Sequence, residues 1–185
     1  MVARLPWFER VFPTGLPAHL LPVVVGRLRG TAARIADRLT GVPSETLTRR
    51  TGGPWSIQEN VGHLLDLEPL WLRRVNDLAD GIGELAEADL TNRRTHEANH
   101  NAVALGDLLA RFRAARGELV RRLETFPDDR LESPAVHPRL KASMNVTDLA
   151  YFVAEHDDYH LARIAELLAV ARGPGGAGDQ TEDRD

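Results

Sequence analysis

Residues 145–168 read NVTDLAYFVAEHDDYHLARIAELL, and the spacing within them decides the fold. Leu149, Val153, His156, His160, Ile164 and Leu167 recur every three or four positions. That is the period of one helix face, so a long helix is expected, with His156 and His160 in line with its buried stripe. Asn145 can cap it, and Asp148 three residues on suits a first turn. Two imidazoles at i and i+4 can grip a single metal ion. The same spacing also arises where both rings are ordinary core histidines. The pattern His-Asp-Asp-Tyr-His departs from the zincin motif, because Asp157 stands where that motif needs a glutamate.

Working outward, three more stretches carry a helical stripe. Leu21, Val24, Leu28, Ala32, Ile35 and Leu39 predict a helix over about 19–40, ended by Gly41 and Pro43. Ser56 and Glu59 have capping-box spacing, so a second helix is expected from Ser56 to about Ala79, with Trp55 placed to staple its first turn. Gly62 weakens that helix locally but lets something approach closely. Leu105, Leu108, Phe112, Leu119 and Leu123 predict a third helix over about 99–125. Arg111, Arg113, Arg116, Arg121 and Arg122 are expected on its wet face. No segment alternates long enough to demand a sheet.

Four amphipathic stripes make the fold class all-α, a four-helix bundle. The links over 80–98 and 127–143 are long for a bundle, which points to functional loops or a crossover connectivity. One domain is expected over 1–172. Residues 1–18 form a proline-punctuated strap across one end of the core, or else a lid. Residues 173–185 are expected to be a disordered tail.

Composition narrows the function. The 185 residues carry a formal net charge of −4, so no global basic field draws in nucleic acid, and no recognition motif is present. There is no cysteine, so any metal must be held by nitrogen and oxygen. No apolar run approaches the ~20 residues needed to span a bilayer. The proline-cut N-terminus lacks a signal-peptide core. A cytoplasmic protein is the expectation.

For a metal, His63 in the middle of the second helix is the natural third ligand beside His156 and His160, with an open position left for water or a small-molecule substrate. Three imidazoles suit zinc, nickel, iron or copper. Glu59, one turn before His63, is the candidate general base, or simply the capping-box residue. Asp157 and Asp158 read as a solvated face. His96 and His100 form a second i,i+4 pair and read as surface residues, or else as the mouth of the pocket. His137 stands before Pro138 and could reach the same pocket, though its surroundings do not point there. Arg93, Arg94, Arg139 and Lys141 are candidates for binding an anionic substrate, or else surface cations.

The stretch Trp55-Ser56-Ile57-Gln58-Glu59-Asn60-Val61-Gly62-His63-Leu64 with Glu68 resembles the first motif of the DinB-like superfamily. His137-Pro138, and Asn145 onward through Glu155-His156-Asp157-Asp158-Tyr159-His160 to Ile164, resembles its C-terminal motif. The resemblance runs from about Leu20 to Leu168. It implies a four-helix bundle that is not up-and-down, and a divalent metal, often nickel or zinc, held by His63, His156 and His160. It also implies a homodimer, expected to use a face carrying Trp71 or Trp7. The activity implied is that of a metal-dependent hydrolase or of a thiol transferase using mycothiol or bacillithiol. A non-enzymatic metal-binding or stress-associated bundle is the alternative.

Overall fold

Helix α1 (Leu21–Leu39) begins after a 3-10 turn at Ala18–Leu20, with Pro22 in its first turn, where the missing N–H costs no hydrogen bond. Gly41 follows its end at φ 72°, a conformation that costs glycine nothing. The link predicted after it contains a short helix, α2 (Ser44–Thr48). Helix α3 (Ile57–Ala79) starts on a complete capping box between Ser56 and Glu59. Pro69 lies within α3, its ring on the exposed face. The coordinates are a computed structural model, described for residues 4–173. The expected tail therefore lies, except for Gly173, outside the described residues.

The link after α3 holds α4 (Arg93–Glu97) and a 3-10 turn at His100–Ala102. Helix α5 (Leu105–Glu124) thus starts six residues later than its stripe predicts. The next link holds a two-residue ladder, β1 (Ala135–Val136) antiparallel to β2 (Ser143–Met144). Two residues per strand are too few to leave a period in the sequence. Helix α6 (Val146–Arg172) starts on a second capping box, Asn145 with Asp148.

The four long helices pack in the ring α1–α5–α3–α6. Chain neighbours α1 and α3 therefore lie across a diagonal, as do α5 and α6. One apolar cluster joins the first halves of α1 and α6 to the second halves of α3 and α5. A second joins the opposite halves. Hence α1 and α6 run one way, and α3 and α5 the other. Helices α3 and α5 are parallel neighbours, so the chain must return the length of the bundle between them, which is what the long link does. The crossover connectivity expected from link length is the connectivity found.

Between the two apolar clusters lies a polar layer at mid-height. Its node is Arg116, which the stripe on α5 placed on the wet face but which is 2 % exposed. Its guanidinium donates to Glu68 on α3 (Nη2 to Oε1, 2.6 Å), to both oxygens of Asp157 on α6, and to the Leu28 carbonyl on α1 (3.3 Å). Thr31 of α1 closes the group by donating to Asp157 at 2.7 Å. One side chain thus bonds to the other three long helices. Asp157 is fully buried, not solvated. Asp158 faces outward and pairs with Arg27 and Arg34. An isolated charge could not be buried here, but a matched set can. A residue-by-residue stripe does not reveal a match between residues 41 and 48 positions apart.

Residues 4–18 run along α6. Gly15 and Leu16 donate their N–H groups to the Asp148 carboxylate at 2.9 and 2.8 Å. Phe12 is buried, and Trp7 packs on Phe152 and Tyr159. Arg4 and Arg10 pair with Glu166 and Glu155. Of the tryptophans expected to supply a dimer face, Trp71 is 3 % exposed and Trp7 is half-buried in this aromatic group.

Candidate metal centre

His63 from α3 and His156 and His160 from α6 meet in the polar layer. One ring nitrogen of each lies within 4.8 Å of the others, and all three residues are buried. Among the described residues this is the one such cluster of three. Two of the rings are aimed by bonds to their outer nitrogens. His160 Nδ1 lies 2.9 Å from Asn60 Oδ1, while the Asn60 amide N–H is spent on the Ser56 carbonyl. Asn60 therefore accepts, the proton sits on Nδ1, and Nε2 is left with its lone pair. His63 Nδ1 lies 3.1 Å from Thr95 Oγ1, whose own hydroxyl donates to Asp66 at 2.9 Å. Nδ1 again carries the proton. His156 Nδ1 is buried with no partner.

Asp66 is the anchor behind His63. It also accepts from His100 Nε2 at 2.8 Å. Burial alone would raise its pKa, but His100, Thr95 and Arg94 hold it below the usual carboxylate range. His100, expected at the surface, is 2 % exposed. Its ring lies on Gly62: a Cβ there would fall 2.2 Å from His100 Cδ2. The close approach expected at Gly62 is this one. His96 is exposed, 5.7 Å from Trp55 between ring centroids. Trp55 itself does not simply staple the helix. It lies over His63, centroids 4.5 Å apart.

Gly62→Ala is accordingly expected to push the His100 ring off Asp66. Overpacking costs about 1–3 kcal/mol, and alanine's better helix propensity returns only about 1. Loss of an outer partner should weaken metal binding by roughly tenfold or more. Urea midpoints and zinc titration of the variant check both. A variant more stable than wild type, with unchanged affinity, would show that His100 yields freely.

Electrostatics keeps the cluster neutral. Burial pulls His63 down to about 4, with Asp66 pulling the other way. His156 and His160 are pushed well below their ordinary value by burial first and then by their neighbours' charge. Each of these shifts favours the neutral ring, with one nitrogen free of its proton, the form a metal ion needs.

Glu59 is placed elsewhere. Its carboxylate receives the Ser56 N–H at 2.8 Å and the Arg50 fork, and Arg50 holds its pKa down. It starts the helix that carries His63 one turn later, and it is not among the residues lining the cavity described next.

The triad forms part of the wall of a cavity of about 560 Å³. Trp7, Trp55, Trp71 and Phe152 supply apolar wall, and His137, Arg74 and Arg139 stand in it too. His137 is buried, and Arg74 Nη1 donates to its Nε2 at 3.0 Å. Burial, then the charges of Arg74 and Arg139, hold His137 down to about 3. Periodicity missed Arg74 and His137; the His-Pro-Arg run at 137–139 was the only signal for that wall. Of the other expected anion binders, Arg94 and Lys141 are exposed and paired with Asp66 and Glu84, and Arg93 is exposed.

The family model of the DinB superfamily matches residues 27–164. The chain belongs to that superfamily. Among solved structures it is similar to YfiT from Bacillus subtilis, described as a probable metal-dependent hydrolase with an unusual four-helix bundle topology. The two share 20% identity over 86% of this chain and 91% of YfiT, with a TM-score of 0.71. No curated protein gives a significant match. Among the described residues, no helix of this DinB-superfamily chain is long and apolar enough to cross a membrane.

Proposed function

We propose that His63, His156 and His160 hold a divalent metal ion, zinc or nickel, and that the protein is a metal-dependent enzyme acting on a small molecule in the adjoining cavity. The observation that carries this is the position of the triad in the wall of an accessible cavity. A closed four-ligand site would serve structure alone. The donor set fits a metal. Three neutral imidazoles converge, two are aimed by Asn60 and Thr95, and the third has a buried nitrogen without a partner. Buried polar atoms are normally paired.

A divalent cation there supplies Lewis acidity, which lowers the pKa of a water or thiol and polarises a substrate oxygen. The chain's own residues do the rest. Asp66, through Thr95, keeps the His63 proton on Nδ1. Asn60 does the same for His160. Trp7, Trp55 and Trp71 exclude bulk water from the reacting side. Glu59 is assigned to positioning the start of α3.

Hydrolysis is the reading we favour, supported by the kinship with YfiT. Transfer to mycothiol or bacillithiol would need the same three nitrogens. The test is elemental analysis of purified protein, followed by a panel of small esters, amides and electrophiles with and without those thiols. Turnover that is lost on chelation and restored by zinc or nickel is expected with water alone. Turnover only with a thiol would make the protein a transferase. Bound metal with no turnover in either arm favours the non-enzymatic alternative, and no bound metal sinks the proposal.

A further inference from the structure

Five buried side-chain polar atoms lack a partner among the described residues, and four of them belong to residues lining this one cavity. One is His156 Nδ1. The other three, Trp55 Nε1, Trp71 Nε1 and Arg139 Nη2, are all N–H donors. Buried polar groups are normally satisfied, so unpaired donors concentrated in the residues around one cavity mark a wall whose polar groups are not matched within the chain.

The cations of the cavity say the same. Arg4, Arg10, Arg27, Arg34, Arg50 and Arg116 all reach carboxylates. Arg74 and Arg139 do not. Arg74 is 1 % exposed and commits Nε to the Ala86 carbonyl (2.8 Å) and Nη1 to His137, leaving Nη2 without a bond among the described residues. Arg139 lies between the rings of Phe8 and Phe152, at 5.2 and 5.9 Å from their centroids. Aromatic faces compensate a cation only in part. Burial lowers Arg74 to about 10 and lowers Arg139 as well. The two guanidiniums also sit close enough for the charge of Arg139 to bear on Arg74 and on His156. Glu87 and Asp89 line the same cavity, and Asp77 offsets part of the cost at Arg74. Among the described residues, however, no carboxylate pairs with either guanidinium, and two like charges left so are costly to maintain.

We propose that the cavity takes a small organic anion, whose carboxylate or phosphate group is received by Arg139 and Arg74 while its apolar body lies on Trp71 and Phe152 beside the histidines. This rests on the reading of the cavity as a substrate site, and it names the class of substrate. The arginine pair fixes one end of the molecule, so that its reacting bond is presented to the triad.

The test uses three probes of one shape on the full chain: benzoate, phenyl phosphate and neutral benzamide. Affinities are read by calorimetry on protein stripped with EDTA and again after zinc loading. In stripped wild type, one of the two anions should bind about tenfold or more tighter than benzamide, as charge-assisted bonds imply. Which anion it is separates carboxylate from phosphate. Arg139→Gln should reduce that preference to about twofold, with zinc uptake retained and a urea midpoint no lower than wild type, and Arg139→Lys should restore part of it. Equal binding of all three probes overturns the proposal. So does a preference that Arg139→Gln leaves intact, or one seen only with zinc loaded, because the anion would then sit on the metal. A preference in protein that takes up no zinc supports the anion site while sinking the metal reading.

Discussion

His156→Ala should purify without metal, falling from about one ion per chain to below about a tenth, because a site of three protein ligands cannot spare one. His156 and His160 share a face of α6 and cannot adjust independently, and His63 is fixed from behind by Thr95. No fourth imidazole stands ready: His100 is tied to Asp66, and His137 receives Arg74. Outer-shell partners alone are worth roughly 10–100-fold in affinity, so deletion of a ligand should cost at least about 100-fold. Metal-dependent turnover should fall with it. The fold should survive, since the substitution breaks no hydrogen bond of His156 Nδ1 among the described residues. Elemental analysis and circular dichroism, beside a His96→Ala control at an exposed ring, check this. Full metal content in folded His156→Ala would mean that the ion, if any, is held elsewhere.

Arg116→Met should be the most destabilising of these substitutions, by about 3–5 kcal/mol near neutral pH. It leaves Glu68 and Asp157 buried together without their cation. In the wild type, burial opposes the Arg116 charge, but Asp157 and Glu68 outweigh that and raise its pKa. Burial pushes Glu68 up to about 7 against the pull of Arg116, with Asp157 adding to the rise. Without Arg116 the Glu68 carboxyl, already raised by burial, must rise further above its unfolded value. Groups raised on folding keep their stability below the unfolded pKa and lose it as pH climbs through the folded one. The deficit of Arg116→Met should therefore shrink from pH 8 to pH 5. Urea unfolding at both pH values measures it. A loss under about 1 kcal/mol at pH 8 would show that the polar layer is hydrated and contributes little. Replacing all three groups by apolar residues of like volume should recover much of the loss. It should still disturb the metal site, because Asp157 is the residue next to His156.

The local half of this molecule can be read directly from the chain. Four stripes specify which faces are buried, because apolar surface leaves water wherever the chain repeats it at helical period. Ser56 with Glu59 and Asn145 with Asp148 mark where α3 and α6 begin, because a capping box is a three-residue affair. His156 and His160 were legible as a pair for the same reason: one turn of helix is enough to put them together.

Tertiary structure decided whatever depends on partners far apart in the chain. Arg116 and Asp157 look like solvated charges until α5 and α6 are brought across the bundle, where each removes the other's desolvation cost. His100 looks like a surface histidine until α3 offers Asp66 to its ring and the bare Gly62 to its face. The junction of His63 with the α6 pair, and the gathering of Arg74, His137 and Arg139 into the same cavity, follow from how the crossover connections stack the helices. Burial along one helix is a local property of the chain, whereas charge compensation and ligand convergence are pairwise and have no period to read.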